Sequence, residues 1–259
     1  MRSASSAINM LVNSTLNSAA TREAAPAKPA RRFGRFRFSA VELLVVLVVL
    51  FITSPFLEYL KYGRGIEAAL ITLVMILSVL AVGGTRRTLI VAVLLATPAV
   101  IARWGHHLGP DLVPAEVFLA AELVFLVFVA VNLLRFILRA PRVNSEVLCA
   151  GISGYLILGL LWVIAYMLVA RAVPDSFSLT AGPAEHRSMD GFTAFYFSFA
   201  TLTTVGYGDI APVSNVARML AVMEAVTGLF YVAVLISRLV ALYSSQPPPK
   251  DSGAHGAPP

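Results

Sequence analysis

The stretch Thr203-Thr204-Val205-Gly206-Tyr207-Gly208-Asp209 decides the fold of this chain, because it lies between two long apolar segments. Its glycines can adopt positive φ angles that other residues resist, so successive carbonyls can turn toward one axis. Four such loops around an axis would present stacked rings of carbonyl oxygens, which can replace the water around a dehydrated cation. The stretch therefore predicts a loop that lines a hole through a membrane.

The composition of the chain is that of a membrane protein. Hydrophobic residues make up 58% of the 259 residues and charged residues 13%, whereas soluble domains carry about a quarter charged residues. The single cysteine, Cys149, leaves no intrachain disulfide or cysteine metal site. The net charge of +6 is nearly all arginine and falls between apolar segments, which indicates membrane topology and lipid headgroup contact and favours no nucleic-acid partner.

Six apolar stretches are long enough to cross a bilayer. They run roughly over 38–57, 66–82, 88–104, 115–137, 147–170 and 216–241. Residues 190–202, between the fifth and sixth stretches, are too few to cross, and they predict a short re-entrant helix with Asp190 as its N-cap. The expected fold class is an all-α membrane protein with six transmembrane helices, the re-entrant helix and its loop lying between helices 5 and 6.

Basic residues are more numerous in the segments on one side of the predicted membrane than in the segments on the other side. The richer side holds Arg31, Arg32, Arg35, Arg37, Arg86, Arg87, Arg135, Arg139 and Arg142, and the poorer side holds Lys61, Arg64, Arg103, Arg171 and Arg187. The positive-inside rule therefore predicts that both termini are cytoplasmic and that the 203–209 loop is external, in the plasma (cell inner) membrane.

Residues 204–208 spell Thr-Val-Gly-Tyr-Gly, and here the chain resembles the potassium-channel pore family, whose known selectivity filter has this sequence. The resemblance implies that K⁺ is the permeant ion and that no cofactor is needed. The implied K⁺ ligands are the carbonyls of Thr204, Val205, Gly206 and Tyr207 with the Thr204 hydroxyl, and Gly208 completes the filter. We call residues 203–209 the filter loop. One such loop per chain cannot close a ring, so a homotetramer in membrane lipid is expected.

The resemblance also divides the chain into four parts. They are a disordered cytoplasmic N-terminal segment (1–37), a four-helix transmembrane domain (38–142), a pore domain with outer helix, pore helix, filter and inner helix (143–243), and a disordered cytoplasmic tail (244–259). Both ends lack a core-forming pattern, since they are rich in small polar residues or proline.

Two positions depart from the family pattern around the filter. Some members carry a tryptophan pair where this chain has Tyr196 and Phe197, so Asp209 is expected to lack an indole donor. Some members carry a glutamate where this chain has Ala200. Tyr207 is expected to pack against the aromatic wall of the pore helix, with the candidate partners Tyr196, Phe197 and Phe199.

Glu224 lies several turns into the last apolar stretch, where an acid is costly. One interpretation is that it supports the filter from behind in place of the missing carboxylate, and the other is a protonated or hydrogen-bonded structural glutamate. The expected filter supports are accordingly Thr203, Asp209, Glu224, Tyr196 and Phe197.

The last apolar stretch resembles the family's inner helix. Gly228 lies about halfway along it, as a hinge or as a close-packing site. A stripe at spacings of three or four residues is the implied pore lining and a candidate apolar gate, formed by Leu229, Val232, Ile236 and Val240.

The first four stretches match a voltage sensor in number only. Voltage sensing needs several arginines along the fourth stretch, and here only Arg135 and Arg139 occur, at its cytoplasmic end. Steep voltage gating is therefore not expected. Glu122 in the same stretch can meet Arg103, and the adjacent His106 and His107 are interpreted as solvated surface.

No nucleophile, phosphate or zinc motif supports an enzyme. The expected function is passive, potassium-selective conduction. The alternative is a membrane sensor or non-conducting channel-like subunit, in which helices 1–4 detect a ligand or membrane signal. A carrier that uses Glu122 and Glu224 is weaker, because the chain has no broken-helix repeats.

Overall fold

A computed structural model describes residues 39–57, 59–82, 85–109, 113–142, 144–180 and 188–244. The long helices in these ranges are α1 Ser39–Leu57, α2 Gly63–Val82, α3 Arg86–Leu108, α4 Ala115–Arg139, α5 Ser145–Ala172 and α7 Asn215–Ser244. A short helix, α6 Gly191–Leu202, and two strands, β1 Phe177–Leu179 and β2 Ile210–Pro212, complete the described part. The expected disorder of 1–37 and of the tail beyond residue 244 lies outside the described residues.

The long helices confirm the predicted architecture. Within the described ranges, six helices are long and apolar enough to cross a membrane. The protein is therefore a multi-pass membrane protein of the all-α class, as expected.

Several helices extend beyond the apolar stretches that predicted them, because polar caps lie outside the apolar windows. The Thr85 side chain accepts from Thr88 N and begins α3 with a reciprocal capping box. The Asn144 side chain accepts from Val147 N over 2.9 Å and begins α5. Apolar length thus locates a span, while its ends depend on the capping residues.

The helices form two apolar clusters, one among α1 to α5 and one between the end of α5 and α6. Residues 140–144 join α4 to α5, and so short a connection makes the two helices antiparallel neighbours. Their buried faces meet α1 through side chains that include Leu43, Leu47, Phe125, Val129 and Ile157. Helix α6 packs between α5 and α7. Helices α1 to α4 therefore rest against the same chain's own α5.

Helix α6 also touches α1 directly through aromatic rings. The ring of Phe51 lies 4.7 Å from the rings of both Phe195 and Phe199 in edge-on geometry. These contacts connect the four-helix domain to the helix that carries the filter loop.

Two strands are the exception to the all-α prediction. Strands β1 and β2 pair antiparallel, with Phe177 opposite Pro212 and Leu179 opposite Ile210. The backbone N–H and the hydroxyl of Thr180 both donate to the Asp209 carbonyl over 2.9 Å. Strands of three residues are too short to show an alternating pattern, so the sequence did not predict them. They tie the end of the filter loop to the segment that follows α5.

Candidate ion pore

The backbone of the filter loop alternates in handedness. Thr204, Gly206 and Gly208 have φ angles of 61°, 53° and 82°, whereas Val205 and Tyr207 stay out of the positive-φ region. This alternation turns successive carbonyls toward the same side of the loop. The glycines predicted part of this geometry, but the positive φ of Thr204 had no signal in the sequence, because threonine rarely adopts it.

The amide groups of the filter loop point back into α6. Val205 N and Gly206 N donate to the Ala200 carbonyl over 2.9 and 3.0 Å, and Thr204 N donates to the Thr201 carbonyl over 2.9 Å. These bonds satisfy the terminal carbonyls of α6. Within the described residues, no hydrogen bond reaches the carbonyl oxygens of residues 204–207. Polar groups of this kind need a partner, so these oxygens are available to water or a cation.

Tyr207 and Asp209 are both held by Tyr196. The rings of Tyr196 and Tyr207 stack with centroids 6.1 Å apart and planes 9° apart. The Tyr196 hydroxyl donates to Oδ2 of Asp209 over 2.9 Å. Asp209 therefore accepts from a phenol, that of Tyr196, which is one of the two positions where some family members carry tryptophan.

The two other candidate partners of Tyr207 pack elsewhere in this chain. The Phe197 ring meets Tyr166 and Phe177, and the Phe199 ring meets Phe51 and Phe195. Phe197 is one position on from Tyr196 and therefore lies on a different face of the helix. Phe199 is three positions on, and its ring is taken up by the contact with Phe51 of α1. Phe197 thus packs α6 against α5 rather than contacting the filter tyrosine.

Glu224 is fully buried and joins three helices. Its Oε1 lies 2.5 Å from the Ser198 hydroxyl of α6, and its Oε2 accepts from the Tyr166 hydroxyl of α5. Ser198 Oγ also lies 3.0 Å from the Gly159 carbonyl. Sequence reasoning missed Ser198 and Tyr166, because nothing local marks a serine or tyrosine in an apolar helix as the partner of a distant acid.

The hydrogen count of this cluster favours a protonated Glu224. The Ser198 hydroxyl has one hydrogen, so it cannot donate a full hydrogen bond both to the Gly159 carbonyl and to a Glu224 carboxylate. A Glu224 carboxyl that carries a proton can donate to Ser198, which then donates to Gly159, while Tyr166 donates to the other carboxyl oxygen. Every acceptor then has a donor.

Asp190 occupies the predicted N-cap position of α6, but its side chain does not cap the helix. Its carboxylate forms an ion pair with Arg171 Nη2 over 2.8 Å. The pair joins the end of α5 to the start of α6. The position was therefore predicted correctly and the contact was not, because a charged neighbour competes for the carboxylate.

Gly228 is a close-packing position in this structure. A Cβ added there would lie 2.7 Å from Leu202 Cδ1 and 2.9 Å from the Leu202 carbonyl oxygen. Helix α7 runs unbroken through this point. Its exposed face in the single chain includes the predicted stripe of Leu229, Val232, Ile236 and Val240.

The remaining predicted positions fall outside the filter region. Arg103 binds both carboxylate oxygens of Glu122, with 2.8 Å between Nη2 and Oε2, so the expected pair forms. His106 Nδ1 lies 2.8 Å from the Val113 carbonyl. Arg135 and Arg139 are exposed at the end of α4. The side chain of His107 lies outside the described residues.

Comparison with known proteins identifies the same region. A family model described as "Ion channel" matches residues 152–245. Two pore potassium channel c of Oryza sativa subsp. japonica is 34% identical over 85 residues, which are 31% of this chain and 18% of that protein. The calcium-gated potassium channel TvoK of Thermoplasma volcanium is 44% identical over 50 residues, or 19% of this chain and 14% of that protein. The inward rectifier potassium channel Kirbac3.1 of Paramagnetospirillum magnetotacticum is 30% identical over 107 residues, or 39% and 32%. The matches thus span less than a third of each of these relatives.

The crossing helices define a multi-pass membrane protein of the all-α class. Residues 152–245 match an ion-channel family model and are similar to parts of several potassium channels.

Proposed function

We propose that this chain is the subunit of a potassium-selective channel that passes K⁺ down its gradient. The observation that carries the proposal is the geometry of the filter loop. The sign of φ alternates along it, and no hydrogen bond from the described residues reaches its carbonyl oxygens at residues 204–207. Uncharged carbonyl oxygens bind a monovalent cation weakly enough to release it to the next ring. The negative C-terminal end of α6 lies at the inner end of the filter and favours a cation there.

The proposed assembly is a homotetramer in lipid, with the filter loop outside and both termini in the cytoplasm of the cell inner membrane. In the single chain, residues 203–208 are exposed, and Tyr207 keeps 72% of its surface accessible. Three further copies around an axis would cover this surface and close the carbonyl rings. The exposed stripe on α7 would then line the pore below the filter.

The proposed channel is not steeply voltage-gated. The part of α4 that precedes Arg135 contains no basic residue. The two arginines that it does carry lie within its last turns, where the membrane field does little work on them.

Ion flux through vesicles tests the proposal. Purified full-length protein in liposomes is expected to carry K⁺ and not Na⁺, with block by barium. Gly206→Ala should abolish the flux, because the φ of 53° at this position is strained for alanine. The strain would act through the backbone alone, since a Cβ added there meets no atom within 4 Å. Ile52→Ala, at an exposed position of α1, is the matched control and should conduct normally.

The alternative function is a membrane sensor or non-conducting subunit. It is favoured by the direct contact of Phe51 in the four-helix domain with α6. Assembled tetramers that carry no flux across a wide range of potentials, pH and lipid compositions would support this alternative and overturn the channel proposal.

A further inference from the structure

A cavity of about 1030 Å³ lies between the four-helix domain and the start of the pore helix α6. Its walls come from all six helices α1 to α6, with Ser54, Ile71, Leu126, Leu160 and Phe195 among the lining residues. Neither the filter loop nor α7 lines it. This volume is at the upper limit of typical small-molecule sites.

The depth of the cavity matches one leaflet of a bilayer. Arg171 and Leu160 both line it from α5. A helix rises 1.5 Å per residue, so these two positions are about 17 Å apart along the axis. Half of a hydrocarbon core is about 15 Å. The cavity therefore runs from the end of the helices that faces the filter to about the middle of the membrane.

The lining changes from charged to apolar along this depth. Lys61, Arg171 and Asp190 lie at the mouth. The Arg171–Asp190 pair remains partly exposed, with side-chain exposures of 27% and 49%. Lys61 forms no ion pair within the described residues. The inner part is lined by apolar side chains that include Val74, Met75, Phe125, Leu126 and Leu160.

One ion pair in the wall is already satisfied and does not need a ligand. Glu122 is 2% exposed and accepts two hydrogen bonds from Arg103. Glu67, which also lines the cavity, acts electrostatically on the same arginine. Lys61 is thus a cation with no ion pair within the described residues, and the Arg171–Asp190 pair is the charged pair that stays partly exposed to a ligand.

We propose that this cavity binds a zwitterionic phospholipid with a free amine, a phosphatidylethanolamine of the outer leaflet. Its phosphate meets Lys61 and Arg171, its ammonium meets Asp190, and one acyl chain fills the apolar part. Paired charges of both signs at the mouth complement a zwitterion better than a purely anionic headgroup. The cavity is about as deep as one leaflet, so an acyl chain can extend along it.

A lipid in this position also braces the pore helix. Asp190 and the α6 residues Gly191, Thr193 and Phe195 line one wall, and Phe195 also contacts Phe51 of α1. An effect of the lipid on conduction rests on the proposed channel function. The binding itself does not, so binding and flux are measured separately.

Photolabelling of the full chain tests the proposal. The protein is reconstituted in vesicles that contain phosphatidylethanolamine with a diazirine in the middle of one acyl chain. Labelled peptides are expected to include Met167 or Phe195, which line the cavity. Ser54→Trp fills the cavity and should reduce this labelling about tenfold. Ile52→Trp, on the exposed side of the same helix, is the matched control and should leave it unchanged.

A substitution of Lys61, which is proposed to contact the lipid headgroup, keeps the test valid if the tryptophan disturbs folding. Lys61→Gln alters only an exposed side chain and should lower the labelling several-fold, while Lys61→Arg should retain it. A phosphatidylglycerol probe with the same diazirine should label these peptides less. Equal labelling in Ser54→Trp and Ile52→Trp, equal labelling by both probes, or no effect of Lys61→Gln would each overturn the proposal. Normal labelling without flux would instead refute only the channel function.

Discussion

The hydroxyl of Tyr196 donates to Oδ2 of Asp209 over 2.9 Å while the Tyr196 ring stacks on Tyr207. A single side chain of α6 therefore holds two residues of the filter loop, one by its ring and one by its oxygen. The contact gives Asp209 a phenol donor in a chain that has Tyr196 and Phe197 where some members of the resembling family carry a tryptophan pair.

Removing this hydroxyl is expected to destabilise the conducting filter. Tyr196→Phe keeps the stacked ring but leaves Asp209 without its side-chain donor, so sustained K⁺ current should decay about threefold faster or more. Tyr196→Trp supplies an indole donor and should slow the decay again. Current decay in planar bilayers measures both. An identical decay in wild type and Tyr196→Phe would contradict a supporting role for the hydroxyl.

The Glu224 cluster predicts different effects of two substitutions. Glutamine reproduces the donor and acceptor of a protonated carboxyl, so Glu224→Gln should retain the current and the thermal stability. Glu224→Val leaves the Ser198 and Tyr166 hydroxyls facing an apolar side chain and should destabilise the protein by about 1–3 kcal/mol, with faster current decay. Thermal unfolding and flux measure these outcomes.

Infrared spectroscopy tests the protonation state of Glu224 directly. The difference spectrum between wild type and Glu224→Gln should contain the stretch of a protonated carboxylic acid. A carboxylate band in its place, or unchanged behaviour of both the glutamine and valine variants, would refute the role assigned to this cluster.

Close packing at Gly228 predicts a loss of stability when a methyl group is added. Gly228→Ala places a carbon 2.9 Å from the Leu202 carbonyl oxygen, which cannot move without shifting the end of α6. The expected cost is about 1–3 kcal/mol in thermal unfolding. In the matched variant Gly151→Ala the nearest atom, at 3.0 Å, is Leu235 Cδ1, the end of a flexible side chain, so the cost should be smaller. Unchanged stability with altered opening alone would favour a hinge instead.

Arg238 connects the inner helix to the α4–α5 linker. Its Nη2 donates to the Ala140 carbonyl over 2.8 Å. Arg238→Gln should weaken this connection and change the open probability in single-channel recordings, while Arg238→Lys, which keeps a cationic donor, should change it less. Equal open probability in all three proteins would show that the linker does not act on α7 through this bond.

Conductance is expected to vary little with membrane potential. The only arginines of α4 lie in its last turns, so the double variant Arg135→Gln/Arg139→Gln should have the same conductance–voltage relation as wild type. Voltage-clamp recordings from −150 to +100 mV, a range of about 6 kcal/mol per elementary charge, measure it. A steep sigmoidal curve that the double variant flattens would contradict this prediction.

Local features of the chain could be predicted well. The number and place of the membrane helices follow from apolar length, because no other arrangement satisfies a backbone in lipid. The filter loop follows from a short motif whose glycines have defined backbone requirements. The Arg103–Glu122 pair was also expected, because two opposite charges on adjacent spans have few other partners.

Contacts between distant helices could not be predicted in the same way. Tyr166 and Glu224 are separated by 58 positions, and Arg238 and Ala140 by 98. Whether such residues meet depends on how each helix is rotated about its axis, and packing with its neighbours sets that rotation. The same reason explains why Phe197 and Phe199 turn away from Tyr207 while Tyr196 faces it.

The sequence by itself determined the class of the protein and the number of its membrane helices, and it predicted the place of the filter loop, since each depends on composition or on consecutive residues. Only the tertiary structure decided that Thr204 adopts a positive φ, that Tyr196 supports Asp209 and that Ser198 and Tyr166 surround Glu224. The cavity beside α6 also exists only in three dimensions, because six helices contribute its walls. Apolar length and short motifs are written along the chain, whereas side-chain partners arise from the packing of helices that the chain brings together from far apart.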